Sequence, residues 1–160
     1  MTNFDISINR LLGIEGGYVN NPKDPGGETK FGISKRSYPK LDIKALTREQ
    51  AVALYKRDFW DVVSGNTLPA GIGYQLLDTA VNSGTGTALR MVQRAVNVAD
   101  DGNVGPVTIA AIKNIESHDL IMNFLAERLV FMTNCSGWMT FSKGWARRVA
   151  LNLKYGANDV

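Results

Sequence analysis

Cysteine and histidine are almost missing from this chain, with one of each among 160 residues, Cys135 and His118. A lone cysteine closes no internal disulfide, and the pair cannot furnish the donor set of a zinc site. An apolar helical pattern precedes Cys135 and no basic partner lies near it in sequence, so it reads as a small buried hydrophobe rather than a nucleophile. His118, between Ser117 and Asp119 at a helix start, reads as solvated. Long apolar runs are absent as well: stretches such as Leu129 to Met132 fall far short of the roughly 20 residues needed to span a bilayer. Leu11, Leu12, Gly13 and Ile14 are too short a run for the apolar region of a signal peptide, so the expectation is a chain made in the cytoplasm without a membrane-spanning segment. No nucleic-acid-binding motif is present, and strand-type alternation is scarce.

What the sequence does contain is an ordinary globular composition, 44% hydrophobic and 21% charged, long enough for one compact domain or two small lobes. Its 18 basic and 15 acidic side chains leave a formal charge of +3. From Met139 to Val160, Lys143, Arg147, Arg148 and Lys154 face only Asp159, which predicts a basic C-terminal face attracted to anionic surfaces. The plainer reading of that charge is a solvated helix surface.

Apolar residues recur at helical spacing through most of the chain, which predicts a mostly α fold. Ile6, Ile8, Leu11, Leu12 and Ile14 mark a first helix that stops near Gly16-Gly17 and leaves Glu15 at its end. Tyr18 to Ser34 is too rich in glycine and proline for a helix and predicts a small loop or hairpin region. Thr47 with Gln50 forms a capping box for a helix whose apolar side runs from Ala51 to Trp60. Further helices are predicted from Pro69 to Ser83-Gly84, from Thr87 to Val98, from Gly105-Pro106 onward, and from Ser117 to Asn134 with Leu120, Ile121, Phe124, Leu125, Leu129, Phe131 and Met132 as core. The best point of division is the short turn from Gly84 to Gly86, giving two closely packed helical lobes, 1–84 and 85–160.

The segment Glu15-Gly-Gly-Tyr18 to Ile33 places Glu15, Asp24, Glu28 and Thr29 in a glycine-rich loop. A carboxylate at a helix C-terminus meets the negative end of the macrodipole, which favours its protonated form and suits a general acid. A second, ionised carboxylate on a facing loop would orient water, the division of labour found in glycoside hydrolysis. The plainer alternative is that glycine and proline shape a turn and the acids are solvated. Asp78 and Asn82, four apart on one helix, share a face and either line a cleft or satisfy core and helix-end groups. Trp138, Phe141 and Trp145 are spaced to pack between helices or to stack on sugars.

Glu15-Gly-Gly-Tyr18 with Asp24-Pro-Gly-Gly-Glu28-Thr29-Lys-Phe-Gly32-Ile33 resembles the signature of glycoside hydrolase family 108, whose members are similar to bacteriophage endolysins acting as N-acetylmuramidases. The likeness continues through Leu54 to Trp60 and Asp78 to Gly84. Gln93, Asp101-Gly102, Gly105-Pro106 and Thr108 are similar to a predicted peptidoglycan-binding domain often fused to it. The resemblance implies a lysozyme-like helical fold and cleavage of the β-1,4 bond between N-acetylmuramic acid and N-acetylglucosamine without metal or organic cofactor. It implies Glu15 as the general acid, and Asp24 with Thr29 as the groups that position or activate water, with inversion as the expected outcome. Glu28 is the competing second acid, and Tyr18, Glu28, Asp78 and Asn82 are the candidate substrate-binding residues. The implied partners are peptidoglycan and, through the basic C-terminal region, an anionic envelope surface, with the protein acting as a monomer that reaches the wall from the host cytoplasm once the membrane is permeabilised. Rival readings are a non-enzymatic wall-binding or secretion-related protein, a lytic transglycosylase, and membrane disruption by the cationic C-terminal helix.

Overall fold

The computed structural model describes residues 2–14, 17–21 and 27–159. The architecture is mostly α-helical, with a small antiparallel sheet inserted after the first helix. Helix α1 (Asn3–Ile14) buries Phe4, Ile8 and Leu11, a four-and-three spacing that keeps one face inward. Strands β1 (Val19–Asn20), β2 (Glu28–Lys30) and β3 (Ile33–Ser34) follow in the order β1-β2-β3, with Thr29 opposite Val19 on one side and Ser34 on the other. The predicted hairpin region is therefore a three-stranded sheet.

The turn from β2 to β3 is Phe31-Gly32, with φ of 52° and 76°. Two positive φ angles suit the twist of a tight hairpin, but a bulky side chain rarely adopts the first of them. The Phe31 carbonyl is held by the Tyr55 hydroxyl, which donates to it at 2.8 Å. Tyr55 closes helix α2 (Arg48–Tyr55), whose capping box is in place: Thr47 Oγ1 accepts from the Gln50 amide at 3.2 Å and Gln50 Oε1 from the Thr47 amide at 2.9 Å.

A single π-helical turn, Lys56–Trp60, continues α2 and closes with the Asp61 amide on the Lys56 carbonyl at 2.9 Å. It delivers Trp60, fully buried, into a core shared with α1 and Ile33, Ile43 and Tyr55. Gly65 packs directly under the Trp60 ring, and an added Cβ there would run into the indole. Helix α3 (Ala70–Ser83) is buried on every side from Tyr74 to Ala80, as expected of a helix at the centre of a fold. Its Leu77 belongs to the core around Trp60, while Ile72, Leu76 and Ala80 belong to a second core with Met91, Val92, Phe124 and Leu125.

Gly84, at φ of 90°, ends α3, and α4 (Thr85–Ala95) begins at the next residue, two residues before its expected start at Thr87. Helices α5 (Pro106–Asn114), with Pro106 in its first turn, α6 (Ser117–Thr133) and α7 (Trp138–Gly156) complete the chain. Leu129, expected in the core, is 36% exposed, and the neighbouring Arg128 takes the fully buried position instead. Near the C-terminus Asp159 accepts two hydrogen bonds from Arg10, at 2.5 and 2.7 Å, and the Arg10 guanidinium lies 4.3 Å from the centre of the Tyr155 ring, pinning the end of the chain to α1. No helix among the described residues is long and apolar enough to cross a membrane.

Candidate active site

Two of the expected catalytic residues, Glu15 and Asp24, lie outside the described residues; α1 ends one residue before Glu15. Thr29 and Glu28 are neighbours on β2, and successive side chains of a strand point to opposite faces. Only one of the two can therefore serve a given site from this strand. Glu28 Oε1 accepts a hydrogen bond from the Tyr18 hydroxyl at 2.8 Å, which raises the Tyr18 phenol above its ordinary value. Lys30, on the face of Glu28, donates to the Lys44 carbonyl at 2.9 Å.

Beyond the turn, a cavity of about 340 Å³ opens between the sheet, the π-helical turn and α3, lined by Gly32, Ile33, Ser37, Tyr38, Tyr55, Asp58, Phe59 and Val81. Its polar centre is Asp58. Arg57 Nε donates to Asp58 Oδ1 at 2.5 Å, Arg57 Nη2 to Oδ2 at 2.7 Å, and the Tyr38 hydroxyl to Oδ2 at 2.7 Å. Arg57 and then Tyr38 hold the carboxyl below its usual range against the opposing effect of burial. Burial, reinforced by the Asp58 charge, pushes the Tyr38 phenol up to about 12, so the hydroxyl keeps its proton.

At the C-terminal end of α3 the next residue, Asn82, lines a smaller cavity with Ser83, Phe131, Met132, Cys135, Trp145 and Arg148. Asn82 Nδ2 donates to the Asp78 carbonyl at 2.6 Å, one turn back. Asp78 itself, expected at the cleft, is fully buried and offers no surface to a ligand. Its carboxylate is saturated: Oδ2 accepts from Arg128 Nη1 at 2.6 Å and Asn152 Nδ2 at 2.8 Å, and Oδ1 from Arg148 Nη2 at 2.7 Å and Nε at 3.0 Å. Burial raises the Asp78 carboxyl, but Arg128, Arg148 and Asn152 outweigh it and leave the group below its ordinary value. Arg148 is therefore a core ion-pair partner rather than part of the basic surface, which keeps Lys143, Arg147 and Lys154 as its exposed cations. Trp145 contacts Phe141 at 6.0 Å and Trp138 at 6.2 Å between ring centres, so packing occupies most of that aromatic group.

A family model described as Glycosyl hydrolase 108 matches residues 8–84. The solved structure of Brucella abortus SagA superposes with a TM-score of 0.88 at 34% sequence identity, covering 98% of this chain and 94% of its own. The chain belongs to the glycosyl hydrolase 108 family. None of the curated proteins compared with it matches.

The matched span of this glycosyl hydrolase 108 member contains both cavity walls on α3 and the π-helical turn. The Asp58 cluster was not foreseen as a site, although Tyr55 to Trp60 falls within the stretch of family likeness; acidic and aromatic residues in that stretch were the available signal. Gln93, in the second half of the chain, is spent internally. Its Nε2 donates to Asp101 Oδ1 at 2.8 Å and the Asn103 carbonyl at 3.0 Å, and its Oε1 accepts from the Gly102 amide at 2.8 Å, fixing the loop before α5. Among the described residues no group of three or more His, Cys, Asp or Glu is placed to hold a metal ion.

Proposed function

We propose that this protein is a peptidoglycan hydrolase of the muramidase type, cutting the β-1,4 bond between N-acetylmuramic acid and N-acetylglucosamine. Membership in glycosyl hydrolase family 108, through a match whose span includes Glu15, Asp24, Thr29 and Asn82, is the observation that carries this reading. Glu15 comes directly after Ile14, the last residue of α1, in sequence; a helix C-terminus generally favours a protonated carboxyl, and Glu15 would give its proton to the leaving glycosidic oxygen. Asp24 and Thr29 would orient the attacking water. Thr29 stands on the β2 face opposite Glu28, and the Tyr18 hydrogen bond already engages Glu28, which supports Asp24 rather than Glu28 as the second acid. Asn82, at the open end of α3, would contact the glycan, as would the exposed Tyr18.

In this reading residues 85–160 form a lobe packed on the first, and Lys143, Arg147 and Lys154 attract it to the anionic wall. The deciding experiment is mass spectrometry of digested sacculi. Fragments ending in a reducing N-acetylmuramic acid support the proposal. Anhydro-muramic ends would make the chain a lytic transglycosylase, reducing N-acetylglucosamine ends would move the cut to the other glycosidic bond, and undigested sacculi would favour a binding protein.

A further inference from the structure

We infer that the cavity between the β2–β3 turn and the π-helical turn is a carbohydrate subsite that holds one N-acetylhexosamine unit of the glycan through Asp58 and Tyr38. The inference deepens the hydrolase reading and rests on it for the identity of the ligand.

Four observations carry it. The cavity, at about 340 Å³, lies at the small end of ligand sites, which run from about 300 to 1,000 Å³, and so fits one sugar unit rather than a chain. Its walls divide as a saccharide requires: the half-buried Phe59 and Val81 offer apolar surface to a ring face or acetamido methyl, and Tyr38 and Asp58 offer oxygen atoms. Asp58 receives three hydrogen bonds, two at Oδ2 and one at Oδ1, whereas a carboxylate has about four acceptor positions, so one at Oδ1 is left for a sugar hydroxyl or amide N–H. Tyr38 gives its only proton to Asp58, which turns its oxygen into an acceptor as well.

Two backbone irregularities set the walls. The π-helical turn shifts Asp58 and Phe59 out of the register that α2 would have given them, and such turns occur frequently at functional sites. The positive φ of Phe31, secured by Tyr55, places Gly32 and Ile33 opposite. Val81 lines this cavity and the following residue, Asn82, the smaller one, while Gly32 lies three residues beyond Thr29 on the same hairpin.

The test uses the full chain as wild type, Asp58→Asn and Tyr38→Phe, with Asp61→Asn, an exposed residue paired to Lys56 outside the cavity, as control. On soluble uncrosslinked glycan strands, Asp58→Asn should raise KM about tenfold with little change in kcat, the pattern of a lost binding contact. Tyr38→Phe should raise KM about threefold and Asp61→Asn should match wild type. A KM unchanged in Asp58→Asn, or a fall confined to kcat, overturns the inference. If Asp58→Asn melts early, Tyr38→Phe, which keeps the Arg57–Asp58 pair, decides by the same criterion. Wild type that cuts no glycan strand sinks the hydrolase reading by itself. The subsite is then judged by titration with tetra-N-acetylchitotetraose followed by NMR: shifts at Phe59 and Val81 that vanish in Asp58→Asn support it, and none at those residues in folded wild type overturns it.

Discussion

Asp58 and Asp78 are both aspartates clasped by arginine, yet they do opposite things for the protein. Asp58 sits at a cavity wall, with Arg57 largely in water and one acceptor position to spare. Asp78 sits at the centre of the helical core with Arg128 and Arg148, and every oxygen is taken. One carboxylate is arranged to meet a ligand and the other to join α3, α6 and α7. Charge pairing by itself does not mark a site; exposure and unused hydrogen-bonding capacity do.

The largest effect should come from breaking the buried side. Asp78→Ala strands two guanidinium groups in the core, one of which, Arg128, already has Nε and Nη2 without hydrogen-bond partners, and loss of a buried partner costs about 3–5 kcal/mol. Thermal melts should show a drop of roughly 10 °C, against a few degrees for Asp58→Ala, whose partner is exposed. Equal drops would erase the distinction between the two aspartates.

A second comparison sets Asp24 against Glu28. Asp24→Asn should lower hydrolysis of sacculi by about 10²-fold or more, the scale of a lost acid–base group, whereas Glu28→Gln should cost only a few-fold because Glu28 is engaged by Tyr18. Initial rates on purified sacculi check the ranking, and its reversal would exchange the two roles.

Acid titration sharpens the first contrast. The folded Asp78 carboxyl lies below its ordinary value of 3.8, so its contribution to stability is complete above that value and is lost as pH falls through the folded value. Melting temperature should decline on that acid limb, and Asp78→Asn, folded or partly destabilised, should decline less steeply because it has no such proton to take up. The smallest effect belongs to the surface: Arg147→Gln should weaken sacculus binding slightly at low salt and hardly at all at high salt, since exposed charges are screened beyond about 8 Å at physiological ionic strength. Arg148→Gln should instead lower the melting temperature.

Much of the fold was legible because its signals are local. The Thr47–Gln50 capping box, the stop at Gly84 and the start at Pro106 each depend on residues within one turn of chain. The features that escaped are those without a local cue. Arg128 lies in an apolar helical run and its partner Asp78 is 50 residues away, so nothing nearby announces a buried ion pair. Arg148 reads as one of the tail cations because it lies beside Arg147 in sequence, yet the helix turns one inward and the other out. Phe31 occupies a turn position usually given to asparagine, aspartate or glycine, and Tyr55, its support, is 24 residues on. The π-helical turn escaped because Phe59 and Trp60 prolong the apolar pattern of α2. At the candidate site the glycine-rich segment and its acids were visible from residue type alone, whereas the Asp58 cavity needs three separate elements to meet.

The proposed chemistry rests on Glu15, and the most direct measurement is the rate at which wild type and Glu15→Gln release reducing ends from purified sacculi, with circular dichroism and melting recorded on the same samples. Glu15→Gln preserves volume and removes the transferable proton, so the rate should fall about 10²- to 10⁴-fold with folding unchanged. A folded Glu15→Gln protein that works at near wild-type rate would contradict it.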